Sequence, residues 1–240
     1  VFTGGEPDPE TITTIRELGF SKPEIVDQTV RGWHHGRIRA TRSTRAREIL
    51  TELMPILLKA IASAPAPDAV FLRFDSFLSR LPSGVQLFSM FHANPQLLDL
   101  VTEILGKAPR LAEHLSNRPA DLDSVLTRDF FDSPPDKNTL LEELNGLLGR
   151  TDVFEQKLDI SRRWNNDRRF QIGVQCLRGA IQPSDAGTAF SNIAEIAISG
   201  LYPVVEDEFV RQHGRILGAG MAVLAQTQAE TTTPLPQPIW

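Results

Sequence analysis

Cysteine is all but absent from this 240-residue chain: Cys176 stands alone, so no internal disulfide can form and a zinc site built on cysteine lacks partners. A lone thiol of this kind reads as a small apolar side chain in a reducing compartment. No run approaches ~18 consecutive apolar residues, the length a membrane-spanning helix needs. The opening VFTGGEPDPE has neither the basic nor the apolar region of a secretion signal, so the expected location is cytoplasmic. The common catalytic signatures are missing as well: no G-x-x-x-x-G-K-[ST] phosphate loop, no G-x-S-x-G elbow, no H-E-x-x-H pair. Strand-like alternation is missing before residue 221.

What remains is an ordinary globular composition, 41% hydrophobic and 23% charged, which excludes a disordered chain and leaves room for one or two domains. The formal net charge of -5 argues against a surface given over wholly to nucleic acid. Apolar residues recur at helical spacing almost throughout. The expected fold is therefore all-α, an irregular multi-helix bundle with long helices and at most one short terminal strand near 221-225.

Punctuation sets the expected helices. Thr11 to Leu18 stops at Gly19; Ser21-Lys22-Pro23-Glu24 matches a capping box opening a second helix through Arg31. Ser43 to Ala62 and Asp68 to Leu81 follow. Asn94-Pro95 supplies an N-cap with proline behind it, and Gly106 is the expected stop of the helix begun there. Short helices at 109–116 and 119–126 come next. Ser133-Pro134-Pro135-Asp136 is the best internal boundary. It divides the chain into residues 1-132, a linker at 133-137, and residues 138-225, with a separate tail at 226-240. The second part holds a helix to Leu148, a long one from Asp152 to about Ile181, and a last one from Pro183 to His213. That last helix should bury Ile193, Ile196, Ala197, Leu201, Val205 and Phe209 and kink at Pro203.

Two arginine clusters are the strongest candidate sites. Arg31, Arg37, Arg39, Arg42, Arg45 and Arg47 occur with no acid before Glu48 and beside Trp33, His34 and His35. Guanidinium forks hold phosphates or carboxylates with paired hydrogen bonds, and an indole can stack on a base or on arginine. An acidic partner surface fits this set, and nucleic acid fits it less well. The plainer reading is that these arginines pair with acids of the same protein. Arg162, Arg163, Arg168 and Arg169 surround Trp164 on the long helix and read as one broad solvated face, or as a face that docks a neighbouring domain. Asp121-Leu122-Asp123 is the one D-x-D, a spacing that on a strand presents two carboxylates to Mg²⁺. Here it opens a helix, where acids favour the positive end of the dipole, so it reads as capping. His34 and His35 are adjacent and diverge, and His92, His114 and His213 are isolated in sequence. No catalytic, cofactor or metal residue is assigned.

Several stretches together resemble the bifunctional glutamine synthetase adenylyltransferase/deadenylylase family, in its alphaproteobacterial form. They are Arg31-Gly32-Trp33-His34-His35-Gly36-Arg37 with Ala40 to Arg47; Leu81-Pro82-Ser83-Gly84-Val85-Gln86-Leu87-Phe88-Ser89; Ala93-Asn94-Pro95; Ile104 to Ala112; Arg162 to Asp167 with Phe170 to Gln175; His213-Gly214-Arg215; and Gly218 to Ala225. Order and spacing agree over residues 1 to 225. The resemblance implies an internal piece of a much larger enzyme with two nucleotidyltransferase centres. One attaches AMP to a tyrosine of glutamine synthetase and the other removes it by phosphorolysis. It implies ATP and Mg²⁺ for the full enzyme, with glutamine synthetase, a PII-type signal protein and the flanking catalytic domains as partners. The part present matches the helices after the deadenylylase core and those leading into the adenylyltransferase core. In the family, the segment matching Met221 to Ala225 runs into a glycine-rich G-K-L-G-G-x-E stretch and then a metal-holding D-x-D. This chain departs at Gln226 into QTQAETTTPLPQPIW, and it starts at Val1. Both catalytic centres are therefore expected to lie outside it, leaving a helical linker and regulatory piece with a disordered tail. A stand-alone binding module using Arg31 to Arg47 is the alternative.

Overall fold

A computed structural model describes residues 8–215. The expected strand near 221-225 and the tail at 226-240 lie outside the described residues. Among the described residues the fold is all-α, with short 3₁₀ turns between helices and no strand. The helices are α1 (Pro9–Glu17), α2 (Pro23–His34), α3 (Thr44–Ala62), α4 (Pro67–Arg80), α5 (Val85–Ala93), α6 (Pro95–Lys107), α7 (Pro109–Asn117), α8 (Lys137–Leu148), α9 (Phe154–Leu177) and α10 (Pro183–His213). They form two compact units, one through Phe130 and one from Phe131.

In the first unit, α3 and α4 supply the apolar stripes that organise the core. Leu50, Leu53, Leu57 and Ile61 recur at three- and four-residue spacing on α3 and are fully buried. Phe71, Phe74, Phe77 and Leu78 do the same on α4. Trp33 of α2 inserts between Phe71 and Phe74, with ring centroids 5.4 and 6.2 Å away, and Phe74 also meets Phe91 of α5 at 6.5 Å. Such tilted and edge-on contacts each add to the area term.

Three terminus signals act differently from their sequence reading. Ser21 does not cap α2: its Oγ donates to Asp68 Oδ2 at 2.6 Å, and the Ser21 and Lys22 amides donate to the same carboxylate at 3.0 Å each. Asp68, in the first turn of α4, thereby ties the start of α2 to the start of α4. Burial pushes its carboxyl up, but these three bonds outweigh burial and hold it below its ordinary value. Asn94 turns its amide back to Met90 O at 3.3 Å instead of capping α6. Gly106 lies inside α6, which ends at Lys107 because Pro109 follows. Ser43 does cap α3, accepting from the Ala46 amide at 3.1 Å.

The second unit is a three-helix arrangement around Leu140, Leu144, Leu148, Trp164, Ile172, Ile193 and Ile196. Gly200 lets α10 approach α8: a Cβ there would stand 2.7 Å from Leu144 Cδ2. Cys176 packs at the edge of this core, and burial raises its thiol pKa. Gln175, fully buried, donates to Asp132 O at 2.9 Å and fixes the segment before α8. α10 runs through Pro203 as one helix. Its expected inner stripe is buried only in its first half: Val205 and Phe209 are 42% and 47% exposed. The cause is the spacing: at about 100° per residue, Val205 and Phe209 lie about 120° and 160° round the helix from Ile193, while Val204 stays on the side packed against the core.

Candidate functional site

The first arginine cluster begins on α2 and crosses a turn into α3. Helix α2 ends in a Schellman reversal: Gly36 sits at φ +73°, and the Arg37 and Gly36 amides donate to Gly32 O and Trp33 O at 2.9 and 3.0 Å. A 3₁₀ turn over Arg39–Thr41 then feeds the Ser43 cap of α3.

The structure divides this cluster into inward and outward members. Arg31 is buried, and its Nε donates to Asp27 Oδ2 at 2.8 Å one helical turn back. Trp33 is fully buried, and its Nε1 donates to Asp75 Oδ1 at 2.7 Å. Arg37 Nη2 reaches both oxygens of Asp75 at 3.0 and 3.3 Å. Arg47 works as a clasp: its Nη1 donates to Thr41 O at 3.1 Å and Arg42 O at 2.7 Å, and its Nη2 to Thr44 Oγ1 at 3.3 Å. These four residues hold the loop.

Arg39, Arg42 and Arg45 point outward and are exposed. Arg45 makes a 3.3 Å pair with Glu48 in which both side chains are more than half exposed, a pair worth about 0–1 kcal/mol. Arg39 and Arg42 form no ion pair among the described residues. The three surround the amino end of α3, whose dipole adds positive potential there. The result is an electropositive patch on a clasped loop, suited to carboxylates or phosphates. Asp27 and Asp75, which take up Arg31, Trp33 and Arg37, were not legible as partners because they lie on other turns or other helices.

Beside this loop, α1 and α3 border a cleft of about 480 Å³ with Ile15, Leu18, Met54 and Leu58 as walls and His34 and Lys59 at its edge. His34 is half-buried, with Nδ1 3.5 Å from Thr51 Oγ1, while His35 is exposed. Burial first, then the charges of His35 and Arg47, lower the His34 pKa. The two imidazoles occupy different environments and make no metal pair.

The second cluster does not form one face. At about 100° per residue, Arg162 and Arg169 fall within about 20° of each other, but Arg163 lies about 100° to one side of Arg162 and Arg168 about 120° to the other. Arg168 pairs with Glu143 of α8 and bonds Gln171, whereas Arg169 lies over the Phe190 ring of α10 at 5.8 Å. Arg162 pairs with Asp159 at 2.7 Å, and Arg163 is exposed. Trp164 is buried among them.

The D-x-D acids do not cap either: the 3₁₀ stretch Pro119–Leu126 has no side-chain cap bond. Asp121 Oδ2 lies 2.6 Å from His114 Nε2 and 3.6 Å from Arg118 Nε, while Asp123 accepts from Gln86 Nε2 at 3.2 Å. The two carboxylates are engaged by different helices, α7 and α5. This is a poor fit to a shared Mg²⁺, which needs both oxygens turned to one point.

Residues 98–226 match the family model described as glutamate-ammonia ligase adenylyltransferase. Among curated relatives, the chain is 44% identical over 224 residues to the bifunctional glutamine synthetase adenylyltransferase/adenylyl-removing enzyme of Bartonella henselae. That alignment covers 93% of this chain and 23% of the relative. The enzymes of the same name from Brucella melitensis and Caulobacter vibrioides are each 43% identical, over 94% and 95% of this chain and 23% and 22% of theirs. The chain thus spans about a quarter of the length of the curated relatives it matches.

Proposed function

Because the chain belongs to the glutamate-ammonia ligase adenylyltransferase family, we propose that it is the helical linker of a bifunctional enzyme that adds AMP to glutamine synthetase and removes it. In this reading it positions and regulates two catalytic centres and carries neither. ATP and Mg²⁺ belong to the full enzyme, in the cytoplasm, and a PII-type signal protein is a regulatory partner. No helix among the described residues is long and apolar enough to cross a membrane.

The observation that carries this reading is chemical. AMP transfer needs a carboxylate-held metal and phosphate-holding donors in line with the attacking oxygen. The D-x-D of this chain instead gives one acid to His114 and the other to Gln86. Support also comes from the Arg39, Arg42 and Arg45 patch, a surface built for an acidic partner. Arg163 on α9 is a second outward cation open to docking; Arg162, Arg168 and Arg169 add to that side of the reading only through the contacts that shape it. In the full-length enzyme, Asp121→Asn with Asp123→Asn should leave both AMP addition and AMP removal within about threefold of the parent. A loss of about 100-fold or more in either kcat, the size expected on removing a metal-holding carboxylate, would mean that these acids do chemistry.

The Arg39, Arg42 and Arg45 loop also suits a phosphate backbone, so a nucleic-acid module is the competing reading. Phosphate contacts predict affinity falling steeply with salt. Absence of binding to mixed-sequence RNA and DNA at low salt removes that alternative.

A further inference from the structure

Helices α1 and α3 face each other across the cleft of about 480 Å³, a volume within the ordinary range of small-molecule sites. Ile15 and Leu18 form one wall and Met54 and Leu58 the other, so the middle is apolar. The eight helical steps from Thr51 to Lys59 give it a length of about 12 Å. A helix about 10 Å across would need about 900 Å³ over that length, so the space suits a small molecule and not a docked helix.

The two ends differ in charge. Helix α1 runs antiparallel to α2: Arg16 pairs with Glu24 at 3.3 Å where α2 begins, and Asp8 lies within electrostatic reach of Arg31 where α2 ends. Asp8 and Glu10 therefore share one end of the cleft with His34 and Thr51, whose Nδ1 and Oγ1 stand 3.5 Å apart. Asp8 is engaged by the α1 cap, accepting from the Thr11 amide and hydroxyl at 3.2 and 2.7 Å. With a pKa below 6.5, His34 is neutral at pH 7. Lys59, at the opposite end, is exposed and forms no ion pair among the described residues. An anionic group is thus favoured at Lys59 and disfavoured beside Glu10.

Pro55 adds a hydrogen-bonding group. It stands inside α3 in the cleft wall, one turn beyond Thr51 and on the same face. Proline has no N–H, so the Thr51 carbonyl lacks the amide four residues on that would close its helical bond. The Thr51 hydroxyl does not serve it, since that group donates to Arg47 O at 2.7 Å. This carbonyl is open to a donor from whatever fills the cleft.

We propose that the cleft is a small-molecule site for an elongated carboxylate. The anionic head pairs with Lys59, the apolar body lies along Ile15, Leu18, Met54 and Leu58, and a hydroxyl at the far end donates to Thr51 O. The inference goes beyond the linker reading and does not depend on it, since every residue involved belongs to the first unit.

Binding of ω-hydroxydecanoate to the full chain, carrying methyl-labelled methionine, tests the proposal without reference to activity. Below its micelle concentration the probe should shift the Met54 methyl resonance saturably and leave that of Met90 in place. Decanoate, which lacks the hydroxyl, should bind about threefold more weakly or worse, the size of one hydrogen bond. Lys59→Glu should weaken the probe by about fivefold or more, and Thr14→Phe, which fills the cleft from its α1 side, should abolish the shift. Both substitutions are at exposed positions. An unmoved Met54 signal overturns the proposal, as does decanoate binding as tightly as the probe. Binding that survives Lys59→Glu or Thr14→Phe unchanged also overturns it, in favour of unspecific adsorption to apolar surface.

Discussion

Gly84→Ala is the sharpest perturbation the structure offers, because it adds one methyl group where two neighbours stand in its place. A Cβ on Gly84 would lie 2.4 Å from Ala40 O, 2.5 Å from Phe88 Cε2 and 2.9 Å from Phe88 Cζ. Ordinary carbon contacts lie at about 3.5 Å or beyond, so the methyl group is about 1 Å too close on two sides. Neither neighbour moves freely: one is backbone, and Phe88 is fully buried in the first core. The backbone at Gly84 is ordinary, φ -100°, so alanine costs nothing there in conformation. It even gains about 0.4–1 kcal/mol by restricting the unfolded chain. Overpacking costs about 1–3 kcal/mol, and with two obstacles the upper end applies, leaving a net loss of about 2 kcal/mol. In urea that moves the midpoint down by about 1 M, read by Trp33 fluorescence with Trp164 and Trp240 both replaced by Phe. Gly146→Ala is the control: nothing lies within 4 Å of its Cβ, and inside α8 it should gain about 0.5–1 kcal/mol. A Gly84→Ala midpoint equal to the parent's would refute the packing argument. Since Ala40 belongs to the arginine loop, the same variant should also weaken whatever that loop binds.

Ser43→Ala should cost about 1 kcal/mol in urea unfolding through loss of the α3 cap, and Ser43→Asn should restore most of it. Acidification should destabilise the first unit in two steps. His34 has a folded pKa below 6.5, so the unfolded chain binds more protons; its contribution is whole above about 6.5 and drains as pH falls below that value. Asp68 is held below 3.8, so its contribution is whole above that value and drains as pH falls through the lower folded one. Thermal unfolding between about pH 7.5 and 3 should show the upper step vanish in His34→Gln and the lower one shrink in Asp68→Asn, with Asp8, also held low by its bonds to Thr11 and Glu10, supplying the remainder; a pH response unchanged in both variants contradicts these assignments. Reversing Arg39, Arg42 and Arg45 to Glu should abolish binding to an acidic partner and its salt dependence while changing unfolding stability by no more than about 1 kcal/mol, because the ion pair these three make among the described residues, Arg45 with Glu48, is solvent-exposed. A larger loss of stability would place them in the structural set with Arg47.

Local rules made the helices legible. Spacing of apolar residues placed α3 and α4, and proline or glycine placed most ends. The misreadings share one cause: a polar side chain has several partners within reach, and tertiary contacts choose among them. Ser21 has Asp68, brought close by the packing of α2 on α4, and forgoes its cap; Asn94 turns back to Met90. The arginine cluster was visible as charge, but its division into clasp and patch was not, because Asp75 lies on α4 and the Arg47 clasp depends on a 3₁₀ turn. On α10 apolar residues recur every four positions through Phe209, but each such step drifts about 40° round the helix, so Val205 and Phe209 leave the face that buries Ile193, Ile196 and Gly200.

The account rests on this chain supporting AMP transfer without performing it. The most direct measurement is incorporation of α-labelled ATP into purified glutamine synthetase, with Mg²⁺ and this chain as the sole added protein. The prediction is label at the level of a reaction without the chain, and full incorporation when the intact enzyme replaces it. Label transferred to the synthetase by the chain alone would contradict the account.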